Sequence, residues 1–149
     1  MAHLLDSSML LRHTNPSDAL YPVAAHAIKT LHEQGEVLHT APQIFTEFRS
    51  VATRPAEVNG LGYSPAEVEA KTAIYEAAFP LLPETPDIFL AWKALVLAAG
   101  VTGKQVHDAR LVAICQIYGI THILTFNVRH FTRLVSFAPG LTVIDPASV

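Results

Sequence analysis

Asp6, Glu47 and Asp108 are three carboxylates far apart in the chain, and each has neighbours that make a charge awkward. Asp6 ends the apolar run His3-Leu4-Leu5 and precedes Ser7 and Ser8, where a charge needs a cation, hydrogen bonds or water to receive it. Glu47 lies three residues after Ile44 and one before Phe48, so helical spacing turns it toward an apolar stripe. Asp108 is aligned in the same way with Leu111, Val112 and Cys115. Each acid alone has an ordinary explanation: a turn aspartate bonding its own backbone, a salt bridge to an arginine, and compensation of a helix dipole. Together they form an oxygen-donor set suited to a hard divalent cation such as Mg²⁺, at the inward ends of one strand and two helices. The chemistry of such a set is metal-assisted hydrolysis of a phosphodiester.

Other side chains extend this constellation. Asn127 directly follows an apolar segment and can offer a neutral amide oxygen, or serve simply as a turn residue. Lys104, Arg110 and Arg129 are the cations placed to hold a nucleic-acid strand. His107 and His130 border the same region without an assigned role. Zinc chemistry is disfavoured, because no histidine pair has the i, i+4 helical spacing with a glutamate and Cys115 has no cysteine mate. No glycine-rich phosphate loop, nucleophile elbow or Cys/His pairing is apparent.

The elements that must position these residues alternate between strand and helix. The run from His3 to Leu11 reads as a buried strand opening into a cleft, with Asp6 near its end. Leu20, Val23, Ala24, Ala27 and Leu31 recur at helical spacing, Gly35 stops that helix, and Val37 to His39 is β-prone. Pro42 opens a helix carrying Glu47 that ends near Arg54-Pro55, and Ser64-Pro65-Ala66-Glu67 is a capping box for a helix presenting Val68, Ile74 and Tyr75. Thr85-Pro86 starts another helix, ended by Gly100, and a further helix from about Lys104 to Gly119 holds Asp108 in its first turn. Leu81-Leu82 is a candidate short strand, Ile120 to Phe126 and Leu141 to Ile144 read as strands, and Asn127 to Leu134 reads as a loop with a short helical turn. This order predicts an α/β domain over residues 1–149, three layers deep, with a central, mostly parallel sheet of four to five strands. Ligands of such sheets bind beyond the carboxyl ends of the strands, where Asp6 and Asn127 point.

The bulk properties bound the function. With 149 residues and half of them hydrophobic, the chain supplies one core. Its net charge of −3 excludes a protein that merely coats nucleic acid, but the charge is unevenly spread. Between Ile88 and Val143 Asp108 is the only acid among Lys93, Lys104, Arg110, Arg129 and Arg133, whereas from Glu57 to Asp87 the acids dominate. No membrane-spanning run or secretory signal is visible and the cysteine is single, which together predict a cytoplasmic protein.

Leu4-Leu5-Asp6-Ser7-Ser8, Glu47 in a helix, His107-Asp108-Ala109 and the segment from Thr125 to Phe131 resemble the PIN-domain ribonucleases, above all the VapC-type toxins of toxin-antitoxin systems. The resemblance implies that Asp6, Glu47 and Asp108 bind Mg²⁺ or Mn²⁺, that a hydroxyl beside the first acid falls on Ser7 or Ser8, with Ser8 touching substrate, and that Asn127 stands at the fourth acidic position. His130 stands where a further acid often follows, so a second metal is not implied. It also implies an RNA substrate, a cognate antitoxin that occupies the site, and a homodimer. Two competing readings remain: a phosphatase of the haloacid dehalogenase class, which wants an acid where Ser8 stands, and a catalytically weakened PIN-like RNA-binding or regulatory module.

Overall fold

The computed structural model describes every residue from Met1 to Val149. Four strands, β1 (Ala2–Leu5), β2 (Val37–His39), β3 (His122–Leu124) and β4 (Thr142–Ile144), form one sheet in the order β2-β1-β3-β4. Every pairing is parallel, with Leu5 beside Leu124 and Leu124 beside Ile144 at the carboxyl edge. Thr40 and Leu81 add an isolated parallel bridge, so the predicted strand at Leu81-Leu82 amounts to a single pairing.

Seven helices connect the strands: α1 (Ser7–His13), α2 (Tyr21–Glu33), α3 (Pro42–Thr53), α4 (Pro65–Ala78), α5 (Pro86–Ala99), α6 (Gln105–Tyr118) and α7 (Val128–Val135). The chain leaves β1 toward β2 and later crosses back past β1 to β3. With the right-handed crossovers that parallel connections take, this reversal puts α2 on one face of the sheet and α6 and α7 on the other. The same reversal makes the carboxyl end of β1 a topological switch point, where a crevice opens. Asp6 occupies that end.

Three local readings are corrected. The run after Asp6 is not strand: Asp6 has extended backbone and its carboxylate accepts from Ser7 N, so it caps α1, which buries Met9 and Leu10. An aspartate followed by two serines is an N-cap signature, and it outweighs the apolar character of Met9-Leu10-Leu11. The segment after Asn127 is a full helix, because Phe131 and Leu134 lie one turn apart and are both buried. In α4 the capping box of Ser64 and Glu67 forms as expected, but the buried stripe is Val68, Thr72 and Tyr75, and Ile74 is exposed.

The core is one cluster of 30 buried residues, with Phe48 of α3, Leu111 and Ile114 of α6, Ile123 of β3 and Phe131 of α7 among its fully buried members. Away from the carboxyl edge, His3 of β1 is 2% exposed, stacks on His122 at 4.7 Å, and leaves its Nδ1 without a hydrogen-bond partner. Burial, and next the His122 ring, lower its pKa from 6.5 to about 4. Between those values the unfolded chain binds a proton that the folded chain does not, so this histidine costs stability as pH falls through 6.5 toward 4. His3→Phe keeps the stack and removes the titration. Relative to wild type, the variant is expected to gain about 2 kcal/mol between pH 8 and pH 5 in urea melts, and a constant difference across that range would refute the account.

Candidate metal and RNA site

The site is assembled from the carboxyl edge of the sheet and the starts of two helices. Asp6 is 4% exposed, and both of its oxygens are engaged. Oδ1 accepts from Ser7 N at 2.8 Å, and Oδ2 accepts from the hydroxyls of Ser8 at 2.7 Å and Thr125 at 2.6 Å. Those hydroxyls are themselves held, because Phe126 N donates to Ser8 Oγ and Asn127 N donates to Thr125 Oγ1. Donors to an ionised carboxylate make the stronger class of hydrogen bond, and here they fix its position from three directions.

Ser7 joins the first acid to the second. Its hydroxyl donates to Glu47 Oε2 at 2.9 Å while its backbone N–H holds Asp6. Glu47 is further held by Gln43, one helical turn earlier in α3, whose Nε2 donates to Glu47 Oε1 at 2.8 Å and to the backbone oxygen of His107 at 2.8 Å. Arg110 Nη1 donates to Gln43 Oε1 at 3.0 Å, and its guanidinium also pairs with Glu84. Gln43 therefore ties the Glu47 carboxylate to the opening of α6, the helix that carries Asp108.

Asp108 feels both other acids. Burial pushes its pKa up to about 6, His130 opposes the rise, and the charges of Asp6 and Glu47 add to it. Glu47 is raised as well, mainly by burial and further by Asp6, against the lowering by its bonds to Gln43 and Ser7. Asp6 raises both other acids and Glu47 raises Asp108, so the three carboxylates form a negative field seeking a cation, and all their donors are hard oxygens of the kind Mg²⁺ takes. By donor chemistry the residues fit such an ion. No three histidine, cysteine or carboxylate groups are already drawn into a chelate, so binding calls for side-chain adjustment.

The remaining expected residues are placed as follows. Ser8 is buried against Asp6 and Thr125. Asn127 is exposed at the start of α7, and its side chain makes no cap hydrogen bond. Lys104 and Arg129 are exposed, and neither makes an ion pair within the chain. Arg110 is already occupied by Glu84 and Gln43, so a phosphate would compete with Glu84 for it. His130 Nδ1 lies 3.6 Å from Asp108 Oδ2. Two residues were not given a role from sequence: Thr125, whose polar side chain ends an apolar strand, and Gln43, whose spacing of four from Glu47 was the available signal.

No family model and no curated protein matches the chain in sequence. Solved structures do match in shape. The structure of VapBC2 from Rickettsia felis bound to a promoter DNA fragment aligns with a TM-score of 0.70 at 12% identity, over 97% of this chain and 98% of that one. A toxin-antitoxin complex from Klebsiella pneumoniae aligns with a TM-score of 0.66 at 17% identity, over 97% of both chains. VapC20 of Mycobacterium tuberculosis, a toxin that cleaves the sarcin-ricin loop, aligns with a TM-score of 0.60 at 21% identity, over 81% of this chain and 86% of that one. The fold is the PIN-like fold of the VapC toxins. In this PIN-like fold the three acids stand at the switch-point crevice, and the Gln43 bridge spans two of the helices that bound it. Gln43→Leu is expected to free Glu47 and to weaken cation binding about tenfold by calorimetry with little change in melting temperature. Unchanged affinity would show that Gln43 is a bystander.

Proposed function

We propose that this chain is a Mg²⁺- or Mn²⁺-dependent endoribonuclease and the toxin of a type II toxin-antitoxin module. The observation that supports the reading most is the coupling of Asp6, Glu47 and Asp108 at the crevice of a VapC-type fold, where Asp108 is raised to about 6 by burial and by the two other acids. Asp6, Glu47 and Asp108 would hold the cation, which when bound supplies the Lewis acidity that activates water and neutralises charge on the scissile phosphate. Ser7, Ser8 and Thr125 fix the acids before substrate arrives, so little reorganisation is left for the reaction. Arg129 and Lys104 draw the RNA backbone to the crevice, and Arg110 acts through Gln43 on Glu47 as well as on phosphate. Asn127 adds a neutral amide at the edge of the site. Because VapC-type chains are found in toxin-antitoxin complexes, the partners proposed are an antitoxin and a second copy of the chain. No helix is long and apolar enough to cross a membrane, and we propose a cytoplasmic site of action.

The test is cleavage of total RNA by the purified chain, free of any antitoxin, with Mg²⁺, with Mn²⁺ and with EDTA. Cleavage is expected with either ion and none with EDTA, whereas equal cleavage in all three would overturn the metal-dependent reading. A second reading, a weakened RNA-binding module, is favoured by Asn127 and His130 standing where the resemblance expects acids, with His130 Nδ1 3.6 Å from Asp108 Oδ2. Isothermal titration separates the two: RNA binding without any divalent-ion binding supports the module.

A further inference from the structure

Beside the acids lies a cleft of about 310 Å³ that none of the preceding chemistry uses in full. It is lined by Phe126, Asn127, Val128, Arg129, His130 and Asp145. Sites for small ligands begin at about 300 Å³, so the space suits one nucleotide unit and not a larger group. Its location follows from the sheet register. Leu5, Leu124 and Ile144 are paired across β1, β3 and β4, so the residues that follow them, Asp6, Thr125 and Asp145, stand in one row along the carboxyl edge. Asp145 is thus two inter-strand spacings, about 10 Å, from Asp6. A strand of RNA whose phosphate meets the acids has a base within reach of this row.

The chemistry of the cleft is selective. Asp145 Oδ1 accepts from Ala147 N at 2.9 Å, capping the short 3₁₀ turn Pro146–Ser148, while no donor in the chain engages Oδ2. Asp145 is exposed and forms no ion pair. Phe126 is half-buried at the wall and offers an apolar surface to a base. Arg129 supplies the positive charge that pairs with a phosphate. A carboxylate accepts hydrogen bonds and cannot donate them, so it suits a base edge that carries adjacent N–H groups. Guanine presents two, N1–H and N2–H, whereas uracil presents one flanked by two carbonyl oxygens that a carboxylate repels.

We infer that this cleft is a nucleobase subsite that takes guanine, with Asp145 reading the base, Phe126 forming the wall and Arg129 holding the backbone. The subsite rests on the nuclease reading only for its role in choosing the cleavage position, and its binding chemistry is independent of catalysis. The probe is each of the four ribonucleoside 5′-monophosphates, titrated into the full chain in EDTA and followed by amide NMR shifts. Guanosine monophosphate is expected to shift the amides of Phe126 to His130 and of Asp145, and to bind about tenfold more tightly than uridine monophosphate. Asp145→Asn preserves the oxygen that caps Ala147 and replaces the free oxygen with an amino donor, so it is expected to fold normally and lose most of that preference. Equal affinity for all four nucleotides, shifts confined to another surface, or a preference that survives Asp145→Asn would overturn the subsite. RNA cleavage that depends on Asp6 but shows no base preference would overturn the subsite and leave the nuclease standing. Guanosine selectivity in a chain that cleaves no RNA would support the subsite and sink the nuclease.

Discussion

Asp6→Asn is expected to lower RNA cleavage by about a thousandfold, a loss of roughly 4 kcal/mol of transition-state stabilisation. Asp6 is the acid with the least freedom to be replaced by a neighbour. It ends β1 at the switch point, is almost wholly buried, and is held by Ser7 N, Ser8 Oγ and Thr125 Oγ1. Asparagine preserves the oxygen that caps α1 but turns an amino group toward two hydroxyls that have been donating. Those hydroxyls can rotate to accept from it, at the cost of their own acceptor, so the fold loses about 1 to 2 kcal/mol and stays folded. A cleavage assay paired with a urea melt separates the two effects. Activity within tenfold of wild type would remove Asp6 from the chemistry, whatever the melt shows.

The sequence exposed the placement of the acids better than the detail that holds them. Proline at Pro42, Pro65 and Pro86 and glycine at Gly100 and Gly119 mark helix boundaries through backbone geometry alone, and those boundaries stand where expected. The alternation of strand and helix was enough for the parallel sheet. What periodicity could not resolve was the junction at Asp6, where one residue ends a strand and caps a helix, because apolar runs of a few residues suit either state. The same ambiguity hid the length of α7 until Phe131 and Leu134 were seen to face one core. Long-range partners were beyond reach for a different reason: nothing local to Thr125 or Gln43 reveals that one meets Asp6 and the other joins Glu47 to α6. Arg110 illustrates the limit, since its type suggests a phosphate contact and only the fold reveals that Glu84 is beside it.

Asp108→Asn is expected to act in the opposite sense on stability. In the first turn of α6 a carboxylate is favoured by the helix dipole, by about 0.3 to 1 kcal/mol. Burial outweighs this: a rise from 3.8 to about 6 corresponds to roughly 3 kcal/mol against the ionised form at neutral pH. The side chain is 21% exposed, and solvent screening reduces the net cost to about 2 kcal/mol. No hydrogen-bond donor within the chain would be lost, since the only polar contact of its carboxylate is His130 at 3.6 Å. In EDTA at pH 7.5 the asparagine variant should therefore melt roughly 5 °C above wild type. A raised folded-state pKa means that the folded chain holds a proton the unfolded chain has released, so stability falls as pH rises from about 4 through 6. The advantage of the variant should accordingly vanish as pH is lowered toward 4. Over that window His3 pulls the other way, gaining stability as pH rises, so wild type should have a shallow profile and Asp108→Asn a steeper one. Added Mg²⁺ should raise the wild-type melting temperature and leave the variant unmoved, because only the former keeps the full donor set. A variant less stable than wild type at pH 7.5 in EDTA would mean that the Asp108 charge is already satisfied within the chain, and the crevice would lose its claim on a cation.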